Sequence, residues 1–172
     1  MTRKTMAFWT LLVVTLGVYL TMVLWSLPQL QQMASGLAGF DLRPMGYTPD
    51  EARALVKALG SSGADFYLNV QLWLDSAYPA LMAAVLILAF ARLARGTWVW
   101  VLAGGAVLMA AFDYLENRAV AGLLRAGPEA VSDAMVSVAS RWTLLKSASS
   151  TVVFLALAGL LVWAGWQRWR PK

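Results

Sequence analysis

The chain has 172 residues, of which 60% are apolar and 13% charged, carries a formal net charge of +5, and contains neither cysteine nor histidine. That balance is far from the roughly 25% charged residues of a soluble domain. Zero cysteine excludes disulfides, thiolate metal sites and iron–sulfur clusters, and zero histidine excludes the usual haem ligand, Ser-His-Asp chemistry and histidine-bound zinc or iron. The apolar residues are gathered into four long runs instead of strand or amphipathic-helix periods. The sequence therefore predicts an all-α integral membrane four-helix bundle, one domain over residues 1–172, with the lipid bilayer as its first partner.

The first predicted span covers residues 6–27 and has no ionisable group, with Trp9 and Trp25 placed as interfacial aromatics. It exceeds the roughly 7–15 apolar residues of a signal-peptide core, so it is read as an uncleaved helix. The connection from Ser26 to Phe66 contains a predicted short amphipathic helix at 49–59. Thr48 is its N-cap, Pro49 stands at the first helical position, Glu51 completes a capping-box pattern, Leu55, Val56 and Leu59 make the apolar stripe, and Gly60 is its stop.

The second predicted span, 67–91, contains one charge, Asp75, and a mild kink at Tyr78-Pro79. The link from Arg92 to Gly96 is short enough to make the second and third spans antiparallel neighbours. The third span, 97–117, is uncharged through Phe112 and then meets Asp113 and Glu116. After Gly127-Pro128, Val131, Met135 and Val138 stand at helical spacing, predicting a second amphipathic helix over 128–140 before the fourth span, 146–167. Ala80 with Ala84, and Ala106 with Ala110, make small-xxx-small pairs, with Gly104 and Gly105 alongside, that favour close helix contact.

Charge outside the spans sorts by side. Arg3, Lys4, Arg92, Arg95, Arg168, Arg170 and Lys172 fall on one side with no acidic residue, while the other side holds seven basic and nine acidic residues. The positive-inside rule places both termini in the cytoplasm, of a bacterial inner membrane by composition, and leaves the two longer connections, with their short helices, non-cytoplasmic. The net +5 is thus a topological signal and not a nucleic-acid-binding one.

Ionisable groups inside a membrane are costly and ask for a reason. Asp75 lies 16 residues above Ala91, and Asp113 16 above Thr97; both distances are about 24 Å at the helical rise. Asp113 shares a helix face with Glu116 and Asn117, Asp75 with Tyr78, and Lys146 with Ser149 and Ser150. The same counting brings Lys146 level with Glu116 and predicts an ion pair, with Arg118 and Arg141 as alternative partners at the rim.

Three readings of this cluster stand open: wet interfacial charges that fix helix ends, an outward-facing pocket for a lipid headgroup, small molecule or cation, or a carboxylate that carries protons or does chemistry. Oxygen-only metal ligation has no recognised spacing here, and no phosphate-cradling glycine loop or nucleophile elbow occurs. The expectation is a non-catalytic accessory or ligand- or lipid-binding membrane protein, possessing a membrane protein partner or a small lipid-like ligand. The alternative is a membrane enzyme or transporter that uses the intramembrane carboxylates.

Overall fold

A computed structural model describes residues 3–169; Arg170 and Lys172 of the C-terminal basic group, and the side chain of Lys4, lie outside the described residues. The architecture is all-α and 87% helical. Among the described residues, four helical stretches are long and apolar enough to cross a membrane: Thr5–Met33, Pro49–Leu93, Thr97–Ala126 and Asp133–Trp169.

The first stretch joins α1 (Arg3–Thr21) through a π-helical turn, Met22–Ser26, to α2 (Leu27–Met33). The wide turn precedes Pro28, which lacks an N–H and crowds the carbonyl four residues back in regular helix. The helix outruns its predicted end because Leu30 and Ala34 find apolar cover in the core. Ser35 and Gly36, at φ 54° and 90°, then turn the chain.

A loop with one 3-10 turn, Phe40–Leu42, leads to α3 (Pro49–Phe66). The capping box is formed: the Thr48 N–H donates to Glu51 Oε2 at 2.7 Å, and the Glu51 N–H donates to Thr48 Oγ1 at 3.3 Å. Gly60 breaks the helix at φ 58°, ψ −165°, a backbone region that glycine alone enters without strain. No loop follows. Helix resumes at once and passes through a second π-helical turn, Tyr67–Gln71, into α4 (Leu72–Leu93). The segment at 49–59 is thus joined to the second long helix through a kink, and its stripe of Ala52, Leu55, Val56 and Leu59 is buried in the core.

α5 (Thr97–Ala126) lies between Gly96 and Gly127, both at positive φ, and continues nine residues beyond the predicted span end at 117. The second short helix expected over 128–140 does not form as a separate element. Residues 128–132 are turn and extended chain, and α6 (Asp133–Trp169) runs unbroken from there. The reason is local: no glycine or proline occurs between Asp133 and Ala158, while Ser132 Oγ accepts from the Met135 N–H at 3.3 Å as an N-cap would.

α5 packs between α4 and α6, and α1 packs on α4. Of the small-residue pairs, Ala106 and Ala110 are buried at this contact beside Ala83, but Ala80 faces outward and Ala84 is only half-buried. Spacing alone did not tell which α4 face meets its neighbour.

Two apolar clusters divide the core. One gathers Leu30, Phe40, Leu55, Tyr67, Leu123 and Val136 among others; the second gathers Ala83, Leu86, Phe90, Ala106, Met109 and Val153. Along α4, α5 and α6 alike, a short polar stretch separates the two clusters.

Candidate functional site

Pro79 lies inside α4 and cannot give an N–H to the carbonyl of Asp75, four residues back. A buried carbonyl left unpaired is costly. Asn117 on α5 supplies the missing donor, its Nδ2 lying 3.1 Å from the Asp75 backbone oxygen. Tyr114, one turn earlier on α5, donates its hydroxyl to the Ser76 backbone oxygen at 2.9 Å. This clasp holds the proline-bearing part of α4 against α5 and sets the position of the Asp75 side chain.

Asp113 and Glu116, three residues apart on α5, face Thr143 and Lys146, three apart on α6. Lys146 Nζ lies 2.7 Å from Glu116 Oε2, 3.0 Å from Asp113 Oδ1 and 4.0 Å from Asp75 Oδ2. Thr143 Oγ1 donates to the second oxygen of Glu116 at 2.5 Å. Glu116 is 1% exposed and Asp75 and Asp113 are 5% and 6% exposed. Three carboxylates thus share one ammonium in a layer closed above and below by apolar side chains, not in a wet rim at the helix ends.

The partners are unequally distributed. Glu116 has Thr143 at Oε1 and the lysine at Oε2, Asp113 Oδ1 has the lysine at 3.0 Å, and Asp75 Oδ2 is buried with that lysine as its nearest partner, at 4.0 Å. Asp75, Asp113 and Lys146 border a cavity of about 280 Å³, with Asp41, Tyr19 and Tyr78 among its other walls. The Tyr19 and Tyr78 ring centroids are 5.8 Å apart at an interplanar angle of 32°.

Both π-helical turns reach this cavity. Met22 of the first and Gln71 of the second line it, and Ser26 Oγ donates to Gln71 Oε1 at 2.6 Å, tying the turns together. Gln71 Nε2 points toward Met22 Sδ at 3.8 Å. Asp41, from the loop after α2, is held by the Tyr67 hydroxyl at 2.6 Å. A larger apolar groove of about 580 Å³, bordered by Trp98, Leu102, Leu160 and Trp163, includes none of these groups.

Of the residues expected from sequence, Asp75, Asp113, Glu116 and Lys146 converge, and Tyr78 joins them in the cavity wall. Asn117 acts on the backbone of Asp75. Ser149 donates to the Lys146 carbonyl at 3.0 Å, and Ser150 makes no polar contact with the cluster among the described residues. Arg118 borders a different groove, on the far side of the α4–α5 contact, with Arg125.

Thr143, Gln71, Tyr19 and Asp41 were missed. Thr143 and Gln71 stand one turn from Lys146 and Asp75, so helical spacing carried their signal; Asp41 enters from an irregular loop, for which no spacing rule applies. Among the described residues, no group of three or more Asp or Glu side chains is arranged to hold a metal ion. Neither a protein-family model, nor a curated protein, nor a solved structure matches this chain.

Proposed function

We propose that the chain is a four-span integral membrane protein that binds a small polar ligand or lipid headgroup in the cavity beside the charged layer, without transforming it. An apolar outer surface supports the membrane reading: Val13, Trp100, Leu155 and Val162 are each more than half exposed, a surface suited to lipid and costly in water. The clustering of basic residues at the termini and at Arg92–Arg95 supports cytoplasmic ends, in a bacterial inner membrane by composition.

The observation that carries the binding reading is Asp75. A buried carboxylate is tolerated when it is paired and hydrogen-bonded, and this one borders a cavity while its nearest internal cation stands 4.0 Å away. At about 280 Å³, the cavity falls just below the roughly 300–1,000 Å³ of sites for drug-sized ligands, so it suits something smaller. Native mass spectrometry of protein extracted gently from its host membrane tests this. A co-purifying small molecule that is lost in Asp75→Asn supports the reading; a protein partner with no small ligand makes the chain an accessory subunit instead.

A second reading, proton-coupled transport or catalysis, draws on one feature: Asp113 and Glu116 lie 3.0 and 2.7 Å from one Nζ, within proton-transfer reach, with Asp75 at 4.0 Å beside them. Proteoliposomes with an internal pH dye separate the two. Proton flux abolished by Asp113→Asn favours this second reading, and tight vesicles with no flux favour binding.

A further inference from the structure

We infer that the cavity takes an organic ammonium group, with Asp75 as its counter-ion and Tyr19 and Tyr78 as its aromatic wall; this rests on reading the cavity as a binding site. The first argument is charge. Asp41, Asp75 and Asp113 line the cavity, and Lys146 is its one lining cation among the described residues. That cation is shared among three carboxylates and lies closer to Glu116 and Asp113, at 2.7 and 3.0 Å, than to Asp75, at 4.0 Å. Arg43, the nearest basic residue on the loop, is held by Glu51 at 3.6 Å and by the Ala38 carbonyl at 3.0 Å. A cation is therefore what the cavity lacks, and an anionic ligand would meet three carboxylates.

The second argument is the buried oxygen. Asp75 is 5% exposed, its Oδ2 has no hydrogen bond, and it borders the open space. An ammonium hydrogen or a positively polarised N-methyl group placed there would offset the cost of burying it.

The third argument is the kind of wall. The remaining lining is apolar or aromatic, including Met22, Val23, Leu27 and Leu42 beside the two tyrosines. Hard metal cations want six or more oxygen ligands, whereas alkylammonium groups are held by aromatic faces together with a carboxylate. At roughly 30 Å³ per water, the cavity holds the equivalent of about nine waters, the scale of an aminoalcohol or a phospholipid amine and not of a whole lipid. Its rim residues Val23 and Leu42 are 38% and 46% exposed, so the ammonium can arrive free or as a headgroup.

The test uses the full chain in nanodiscs of phosphatidylglycerol, which brings no ammonium of its own. Choline, ethanolamine and 3,3-dimethylbutan-1-ol, the uncharged shape-mimic of choline, are titrated by saturation-transfer NMR. Saturable binding of choline or ethanolamine is expected, at least tenfold tighter than the alcohol and at least tenfold weaker in Asp75→Asn. Tyr19→Leu, at a half-exposed position that does not threaten folding, is expected to weaken choline several-fold.

Adding phosphatidylethanolamine to the disc separates the sources. Displacement of the free probes, with that lipid retained in native mass spectrometry, identifies a headgroup; undisturbed probe binding identifies a free amine. Alcohol binding as tight as choline overturns the ammonium inference while leaving the binding site standing, as does a retained molecule without a cationic nitrogen that Asp75→Asn releases. No bound probe, no retained lipid and no co-purifying molecule overturns both.

Discussion

Asn117 makes good what Pro79 takes away: its side-chain amide donates at 3.1 Å to the Asp75 carbonyl that the proline leaves without a helical partner. Replacing Asn117 by Leu strands that buried oxygen and is expected to cost about 1–3 kcal/mol. In a Pro79→Ala background, where the backbone can supply its own N–H, the same substitution should cost measurably less. Chemical denaturation of the four proteins of this cycle in detergent measures the coupling, and equal costs in both backgrounds would show that the clasp contributes nothing.

Lys146 serves three carboxylates, so its loss is the most damaging single change in the layer. Lys146→Met is expected to destabilise by roughly 3–5 kcal/mol, the range for orphaning a buried charge. Adding Glu116→Gln should recover part of that loss, because one uncompensated carboxylate is removed. Thermal unfolding in mild detergent reads both, and a double variant no more stable than Lys146→Met alone contradicts the charge argument.

Neutralising Asp75 should act in the opposite sense. In the absence of ligand its buried carboxylate is the least compensated of the three, so Asp75→Asn is expected to be at least as stable as the parent while losing binding, the usual trade between stability and function at a site. Asp113→Asn, which removes a 3.0 Å partner of Lys146, should shift stability more than Asp50→Asn, whose side chain is 97% exposed and whose pairing is worth within about 0.5 kcal/mol. Indistinguishable unfolding curves for the Asp113 and Asp50 variants would remove the special standing of Asp113.

At the start of α3, the Thr48 backbone N–H and then its side chain hold the Glu51 carboxyl below its ordinary value. A group whose pKa is lower in the folded state contributes stability above its unfolded pKa, about 4.3 for glutamate, and loses it as pH falls through the folded value. Acidification below about pH 5 should therefore lower the unfolding midpoint of the parent more steeply than that of Glu51→Gln. Parallel pH profiles would mean that the capping box does not contribute in this way.

Much of this arrangement was legible in the residues. The long uncharged runs mark the four stretches because a helix facing lipid has no reason to interrupt its apolar surface. Thr48 with Glu51, and Gly60, mark a helix start and a break because these are local backbone requirements. The Glu116–Lys146 pair follows from counting residues along regular helices.

What stayed hidden depends on tertiary packing. Residues 118–126 of α5 and 28–33 of α2 alternate polar and apolar faces, and they are helical to their ends because the loop and α3 cover them, which hydropathy cannot foresee. Asp41 reaches the cavity only because Tyr67, far along the chain, holds it there. Ala80 and Ala84 had the spacing of a contact face, yet Ala83 occupies it.

The paired π-helical turns at Met22–Ser26 and Tyr67–Gln71 make chain length itself a determinant of the pocket. Each wide turn accommodates one residue more than an α-turn, so removing a single residue at Tyr67–Gln71 would let that turn close into regular helix. Everything beyond would keep nearly the same face, because five residues of a wide turn advance about as far around the helix axis as four of regular helix at about 100° each. A deletion at 67–71 would thus leave Asp75 and Tyr78 facing the cavity while removing the wide turn that carries Gln71, another of its lining residues, and relatives of this chain that keep every charged side chain but lack the extra residue there would be expected to have a pocket of the same charge and a different shape.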